Sequence, residues 1–424
     1  MDSKIYSITA REILDSRGNP TIETMVVLNS GYRGIASVPS GASIGKYEAV
    51  ELRDGDSKRY GGKGVLKALN VIHTQLAPKL RGMDSLNQGA IDKCMVEMDG
   101  TSDKSKFGAN SILSISLAVA VATANHQKIP LYKYFNLLAN NGSERAMTKI
   151  PTPTFNVING GKHSGGNLDF QEYHIVPATN KPYHEGLRMG SELYHSVKQL
   201  LITRGAVHAV GDEGGFAPDL STNLDPLEIL TEAIRTSEYR FGVDVFFGLD
   251  VAASSFKSER GYQIKDRPVA YPTSEFIQYM KDLHKIYRLL ILEDPLGEDD
   301  WEGWVAINRD LGTDMLIVGD DLLTTNPERL QRAIKEKACS AILLKPNQIG
   351  SLSEFLAVVA LAKKNDIKCI VSHRSGETTD TCISDLAVGV QADYVKFGAP
   401  ARGERVTKYN RLLQIESELL GIKQ

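Results

Sequence analysis

Three carboxylates, two lysines and a histidine stand at the ends of six short apolar runs in the second half of this chain. The runs are VDVFFGLD ending at Asp250, RLLILE at Glu293, DMLIVGD at Asp320, SAILLK at Lys345, KCIVSH at His373 and DYVK at Lys396. Three carboxylates brought to one place repel unless a divalent cation lies among them, and oxygen-only ligation with open positions suits Mg²⁺. The competing reading is that each caps the helix that follows, since Asp is a common N-cap. A lysine closing a buried strand must find an anionic partner or lose its proton. Two lysines facing across such a mouth are expected to depress each other's pKa, which turns a lysine into a base near neutrality. Ion pairing with the surrounding carboxylates is the alternative. Arg374 and Ser375 follow His373 and offer a bidentate fork and a hydroxyl suited to phosphate, against a generic Arg–carboxylate pair. Glu213 lies in GDEGG, where a crowded site could keep a carboxyl protonated as an acid, against a simple acidic turn. His163, in the Gly160–Gly166 loop, has glycines on both sides and reads as part of a moving lid or as a lone surface histidine.

Strand–helix units would place these groups together. The intervals between the six positions are 43, 27, 25, 28 and 23 residues, about one strand, one helix and two loops each. Such a repeat closes most easily into a parallel barrel, whose catalytic groups lie at the C-terminal strand ends. Ahead of the six units, PTPTFNVING and LDFQEYHIVP read as strands joined by the loop GGKHSGGN. Eight residues cannot hold a helical crossover, so this pair should be antiparallel, which brings Gln171 and Glu172 to the same mouth. The predicted fold is an α/β barrel of order ββαα(βα)₆ with a reversed second strand, over 146–424. An α+β capping domain over 1–140 precedes it, with a meander in residues 3–38 and helices near 61–80, 86–98, 108–126 and 130–138. The polar stretch 140–149 is the expected linker.

Composition narrows the function classes. With 49 Lys and Arg against 52 Asp and Glu the net charge is −3, so no basic excess points to direct nucleic-acid binding. No apolar stretch approaches about 18 residues, so no membrane span is expected. MDSKIYSITA lacks the features of a secretory signal, and Cys94, Cys339, Cys369 and Cys382 form no C-x-x-C pair, which suggests free thiols and a cytoplasmic protein. GASIGKY departs from a phosphate-binding P-loop in spacing and at Tyr47, so nucleotide binding is rejected.

This order of elements carries thirteen segments that together resemble the enolase family. Among them are DSRGNPT (15–21), VPSGAS (38–43), NGGKHSGG (159–166), FQEY (170–173), GDEGGFAP (211–218), LEDPLGEDDWEGW (292–304), LLKPNQIG (343–350), SHRSGETTD (372–380) and FGAPARGER (397–405). The resemblance implies an enolase-type barrel and reversible dehydration of 2-phosphoglycerate to phosphoenolpyruvate in glycolysis and gluconeogenesis. It implies that Asp250, Glu293 and Asp320 hold Mg²⁺, and that Ser43 helps hold a second Mg²⁺ arriving with substrate. By the same resemblance Lys345 removes the C2 proton, Lys396 holds the substrate carboxylate and Glu213 is the acid for the departing hydroxide. Glu172 assists Glu213, Gln171 contacts substrate, His163 lies over it, and His373, Arg374 and Ser375 meet the phosphate, with His373 in the catalytic set. A Lys or His base working with one or two Mg²⁺ ions is the general description of the enolase superfamily itself, so this assignment is a family property. The family also implies a homodimer or an octamer of dimers, with an RNA-degradation assembly or plasminogen as secondary partners and a surface or secreted fraction. The ending GIKQ weakens a plasminogen reading based on a terminal lysine.

Three residues depart from the family pattern. Ile44 stands where Thr is usual, Tyr47 replaces a more polar residue, and His174 stands where an apolar residue is usual, on Glu172's side of its strand. His174 reads either as a hydrogen-bonded core residue or as a modifier of Glu172. Two other readings stay open: a superfamily relative acting on an unphosphorylated acid sugar, and a scaffold with a vestigial site.

Overall fold

The computed structural model describes residues 2–41, 45–165 and 168–422. The chain opens with an antiparallel meander of β1 (Ile5–Leu14), β2 (Pro20–Leu28) and β3 (Arg33–Ser37). Alternation along β2 buries Ile22, Thr24 and Val26 on one face. The α-helices of the described residues that follow are α1 (Leu66–Val71), α2 (Ala77–Leu80), α3 (Gln88–Asp99), α4 (Ala109–Gln127) and α5 (Leu131–Ala139). The helix expected over 61–80 begins only at Leu66 and widens into a π-turn at Ile72–Leu76 before α2. Pro78 accounts for the change of register, since it has no N–H to donate to the preceding turn. Helix α4, apolar on nearly every side, is buried against the meander, and Thr24 Oγ1 donates to Ser114 Oγ at 2.7 Å.

Residues 140–149 form no helix or strand. The barrel then runs β4 (Thr152–Asn159), β5 (Glu172–Pro177), α6 (Tyr183–Thr203) and α7 (Asp225–Arg235). Six units complete it. The first is β6 (Val245–Asp250), a small ribbon of β7 (Lys257–Ser258) and β8 (Gly261–Tyr262), and α8 (Thr273–Tyr287). Next come β9 (Leu289–Glu293) with α9 (Trp301–Leu311) and β10 (Leu316–Gly319) with α10 (Pro327–Glu336). Strand β11 (Ala341–Leu344) leads into α11 (Pro346–Ile349) and α12 (Leu352–Lys364). The last two units are β12 (Lys368–Ser372) with α13 (Cys382–Gly389) and β13 (Tyr394–Lys396) with α14 (Gly403–Leu419). The closed order is β10-β11-β12-β13-β4-β5-β6-β9, and β5 is antiparallel to both β4 and β6, as the short loop demanded.

Strand alternation builds the site in two layers. Val176, Ile291, Val318, Ala341, Leu343, Ile370 and Tyr394 form a separate buried apolar cluster that floors the barrel. Each Val, Ile or Leu among them contributes about 1.5–3 kcal/mol by leaving water. Two residues farther along, on the same face, stand Glu293 after Ile291, Asp320 after Val318, Lys345 after Leu343 and Lys396 after Tyr394. On reversed β5 the order inverts, with Glu172 and His174 preceding Val176. The capping domain is tied down beside this charged layer. Ser40 and Gly376 exchange backbone hydrogen bonds at 2.8 and 3.0 Å, and Ser16 N donates to Glu377 O at 2.7 Å. Among the described residues no helix is long and apolar enough to cross a membrane.

Candidate active site

A cavity of about 320 Å³ opens at the barrel mouth. Its wall includes His163, Gln171, Glu172, Glu213, Asp250, Asp320, Lys345, His373, Arg374, Ser375 and Lys396, together with Gly45, Lys46 and Glu48 from the capping domain. The structure thus brings together every described residue that the sequence nominated, with Glu293 buried behind Lys396. Ser43, Ile44 and Gly166 lie outside the described residues.

The lysines are held by carboxylates. Lys396 Nζ donates to Asp250 Oδ2 at 2.9 Å and to Glu293 Oε1 and Oε2 at 2.8 and 2.9 Å, and lies 3.3 Å from Glu172 Oε2. Lys345 Nζ donates to Asp320 Oδ2 at 2.5 Å. Burial alone would lower both ammonium pKa values. Asp320 nonetheless raises Lys345, and Asp250, Glu172 and Glu293 carry Lys396 well above the ordinary value. Lys396 does depress Lys345, as expected, but the carboxylate in contact with each ammonium outweighs that effect. The ion-pair alternative describes both lysines in this state.

Negative charge is in excess. Burial, then Asp250, pushes the Glu293 carboxyl well above the usual range even with Lys396 beside it. Asp294 accepts the backbone N–H of Asp320 at 3.0 Å and of Asp321 at 2.8 Å, so it fixes the turn that presents Asp320. Its own carboxyl is also pushed up, by burial and then Asp321. Asp321, half-buried beside Asp320, is raised to about 7.

The opposite wall reverses the expectation for Glu213. Ser375 Oγ donates to Glu213 Oε1 at 2.9 Å and Asn156 Nδ2 to Oε2 at 3.3 Å, while His373 Nε2 lies at 3.3 Å and His163 Nδ1 at 3.7 Å. Burial would raise this carboxyl, but His163, His373 and Arg405 hold it well below the ordinary range. Glu213 is a charged carboxylate here and not the protonated acid that crowding suggested. The proton is on its neighbour. Burial disfavours a charged His163, yet Glu213 and Glu172 push its pKa up to about 9. His163 Nδ1 is 3.3 Å from Glu172 Oε1. The loop reaches this wall because Gly215 packs on β4, where an added Cβ would lie 2.3 Å from Asn159 Oδ1.

Two participants escaped the sequence reading. Arg405, at the start of α14 and fully buried, donates through Nη1 to His373 Nδ1 at 2.7 Å. Guanidinium has no acceptor, so Nδ1 accepts and the neutral ring carries its proton on Nε2, facing Glu213. Burial holds His373 below its ordinary pKa. The only signal for Arg405 was its place in FGAPARGER. Glu48, five residues beyond Ser43, pairs with Arg374 at 2.8 Å. Its signal was the charged run after the SGAS loop.

The two described departures now have surroundings. Tyr47 donates its hydroxyl to Asp299 Oδ1 at 3.0 Å, and its ring stacks under the Arg329 guanidinium at 3.8 Å. His174 Nε2 lies 2.8 Å from Glu172 Oε2, so it is a buried core residue that also touches Glu172. Gly248 opposite makes the room, since a Cβ there would lie 3.3 Å from the imidazole.

A family model described as the enolase N-terminal domain matches residues 5–135, and one described as the enolase C-terminal TIM barrel domain matches residues 147–423. The chain belongs to the enolase family. It is accordingly an enolase-type Mg²⁺-dependent lyase acting on a small molecule. The enolase site fits such an ion on its own evidence. Its candidate ligands are oxygen donors only, and the raised Glu293 carboxyl reports anionic charge that the lysines do not balance. Two described groups have ligand atoms within 4.8 Å of one another, Asp294 with Asp320 and Asp321, and His163 with Glu172 and Glu213. Lys396 takes the place between Asp250 and Glu293.

Proposed function

We propose that this enolase-family chain interconverts 2-phosphoglycerate and phosphoenolpyruvate in glycolysis and gluconeogenesis. The observation that carries the reading is convergence. Two lysines, five buried carboxylates, two histidines and a phosphate-type arginine surround one cavity of about 320 Å³. Asp250, Glu293 and Asp320 would hold one Mg²⁺, and Ser43 would help hold a second. When bound, these ions supply the positive charge that stabilises a developing enolate. Once Asp320 releases it and its ammonium has given a proton to solvent, Lys345 removes the C2 proton as a neutral amine, and Lys396 binds the substrate carboxylate beside Gln171. Arg374, Ser375 and His373 receive the phosphate.

The acid step draws on a proton kept at the far wall. His163 holds it near neutrality, because its pKa stands at about 9. Glu213, aligned by Ser375 and by the Arg405-fixed tautomer of His373, passes that proton to the departing C3 hydroxide. Glu172 shares His163 and keeps the relay charged. The four cysteines are free, which suits a reducing cytoplasm, and the family's homodimer is the assembly proposed.

The test is phosphoenolpyruvate formation from 2-phosphoglycerate, followed by ultraviolet absorbance while Mg²⁺ is titrated. Product must rise with Mg²⁺ and vanish with chelator. Turnover of an unphosphorylated acid sugar, with none of 2-phosphoglycerate, would overturn the reading.

A further inference from the structure

The guanidinium that should receive the substrate phosphate is already occupied. Arg374 Nη1 donates to Glu48 Oε2 at 2.8 Å and Nη2 to Glu48 Oε1 at 3.3 Å, a two-pronged pair with both side chains about 5% exposed. Glu48 is held in this pose from two other directions. Gly45 N donates to its Oε1 at 2.9 Å and Gln348 Nε2 at 3.3 Å. Asn347 Oδ1 accepts from Arg374 Nη1 at 3.1 Å, so the guanidinium is fixed in the plane that Glu48 fills. A carboxylate and a phosphate compete for the same face of an arginine, because both present paired oxygens at similar spacing. Glu48 also lines the cavity of Lys345, Lys396 and Glu213, so an anion entering there meets it directly.

We infer that Glu48 is a built-in competitor for the phosphate fork of Arg374, displaced when a phosphoryl dianion binds. This rests on the reading that Arg374 takes the substrate phosphate. A singly charged carboxylate gains little by exchanging with Glu48, whereas a dianion gains charge and a third oxygen. The residue would thus select phosphorylated substrates as well as keep a buried guanidinium paired in their absence.

Calorimetric titration of the full chain with inorganic phosphate tests this, in wild type, Glu48→Gln and Glu48→Ala. Both variants should bind phosphate about tenfold more tightly or better, because the competing charge is gone. Equal or weaker binding in folded variants would show that Glu48 only orients Arg374 and would overturn the inference. No phosphate binding in any form would instead remove Arg374 from the phosphate role, and the inference with it. Should the variants not fold, wild type decides. Saturating phosphate should speed hydrogen exchange of the Gly45 amide, whose acceptor is Glu48, and unchanged exchange with phosphate bound would refute displacement.

Discussion

Replacing Lys396 by Met tests whether the mouth carries excess negative charge. The ammonium contacts Asp250 and Glu293 within 3.0 Å and Glu172 at 3.3 Å, all nearly inaccessible to water. Removing one partner of a buried ionic cluster costs about 3–5 kcal/mol, because the remaining charges stay unpaired. Protonation of Glu293 limits the loss, since its carboxyl is already pushed well above the usual range. The penalty should therefore be near the lower figure in mild acid. It should grow as pH rises above about 4.3, the ordinary Glu value, toward the folded-state pKa of Glu293. Over that window the folded carboxyl binds a proton that the unfolded one has lost, so stability falls with rising pH. Urea unfolding in chelator gives the stability difference at each pH, and repetition with Mg²⁺ should recover more of it in the variant than in wild type. A loss below about 1 kcal/mol, or equal stabilisation of both proteins by Mg²⁺, would refute the charge argument.

Other consequences are separately measurable. His174→Met removes the imidazole 2.8 Å from Glu172, and kcat should fall several-fold with little change in KM, while His174→Gln, which restores a donor, should recover most of it. A KM-only effect would show that His174 does not act on the acid step through Glu172. In metal-free protein, His163 should titrate near 9 by NMR, so the stability it adds is complete below about 6.5 and lost as pH rises through about 9. Titration at or below the ordinary histidine value would contradict the proton store. Nitrogen-15 spectra should show His373 neutral with its proton on Nε2, and a proton on Nδ1 would contradict the arginine contact.

The barrel was legible because its strands are short and each ends on a group with a distinct role. The reversed β5 followed from a loop too short for a crossover, and period-two alternation carried Glu172, Glu293, Asp320, Lys345 and Lys396 to the same face as the apolar floor. Strand β5 starts at Glu172 and not at Leu168 as the pattern LDFQEYHIVP suggested, since Leu168 and Phe170 pack outside the ladder. What the sequence hid was pairing. Nothing in SAILLK reveals that Lys345 meets Asp320, so the sign of its pKa shift could not be read. Arg405 and Glu48 lie far along the chain from the groups they control, and their contacts come from closing the barrel and docking the cap.

Solvent deuterium exchange at C2 of 2-phosphoglycerate, measured beside dehydration in Lys345→Ala and Glu213→Gln, bears most directly on a base and an acid meeting over one small anion. Lys345→Ala should lose exchange and turnover together, whereas Glu213→Gln should keep exchange far better than it keeps dehydration. Equal loss of both reactions in Glu213→Gln, or persistent exchange in Lys345→Ala, would contradict the account.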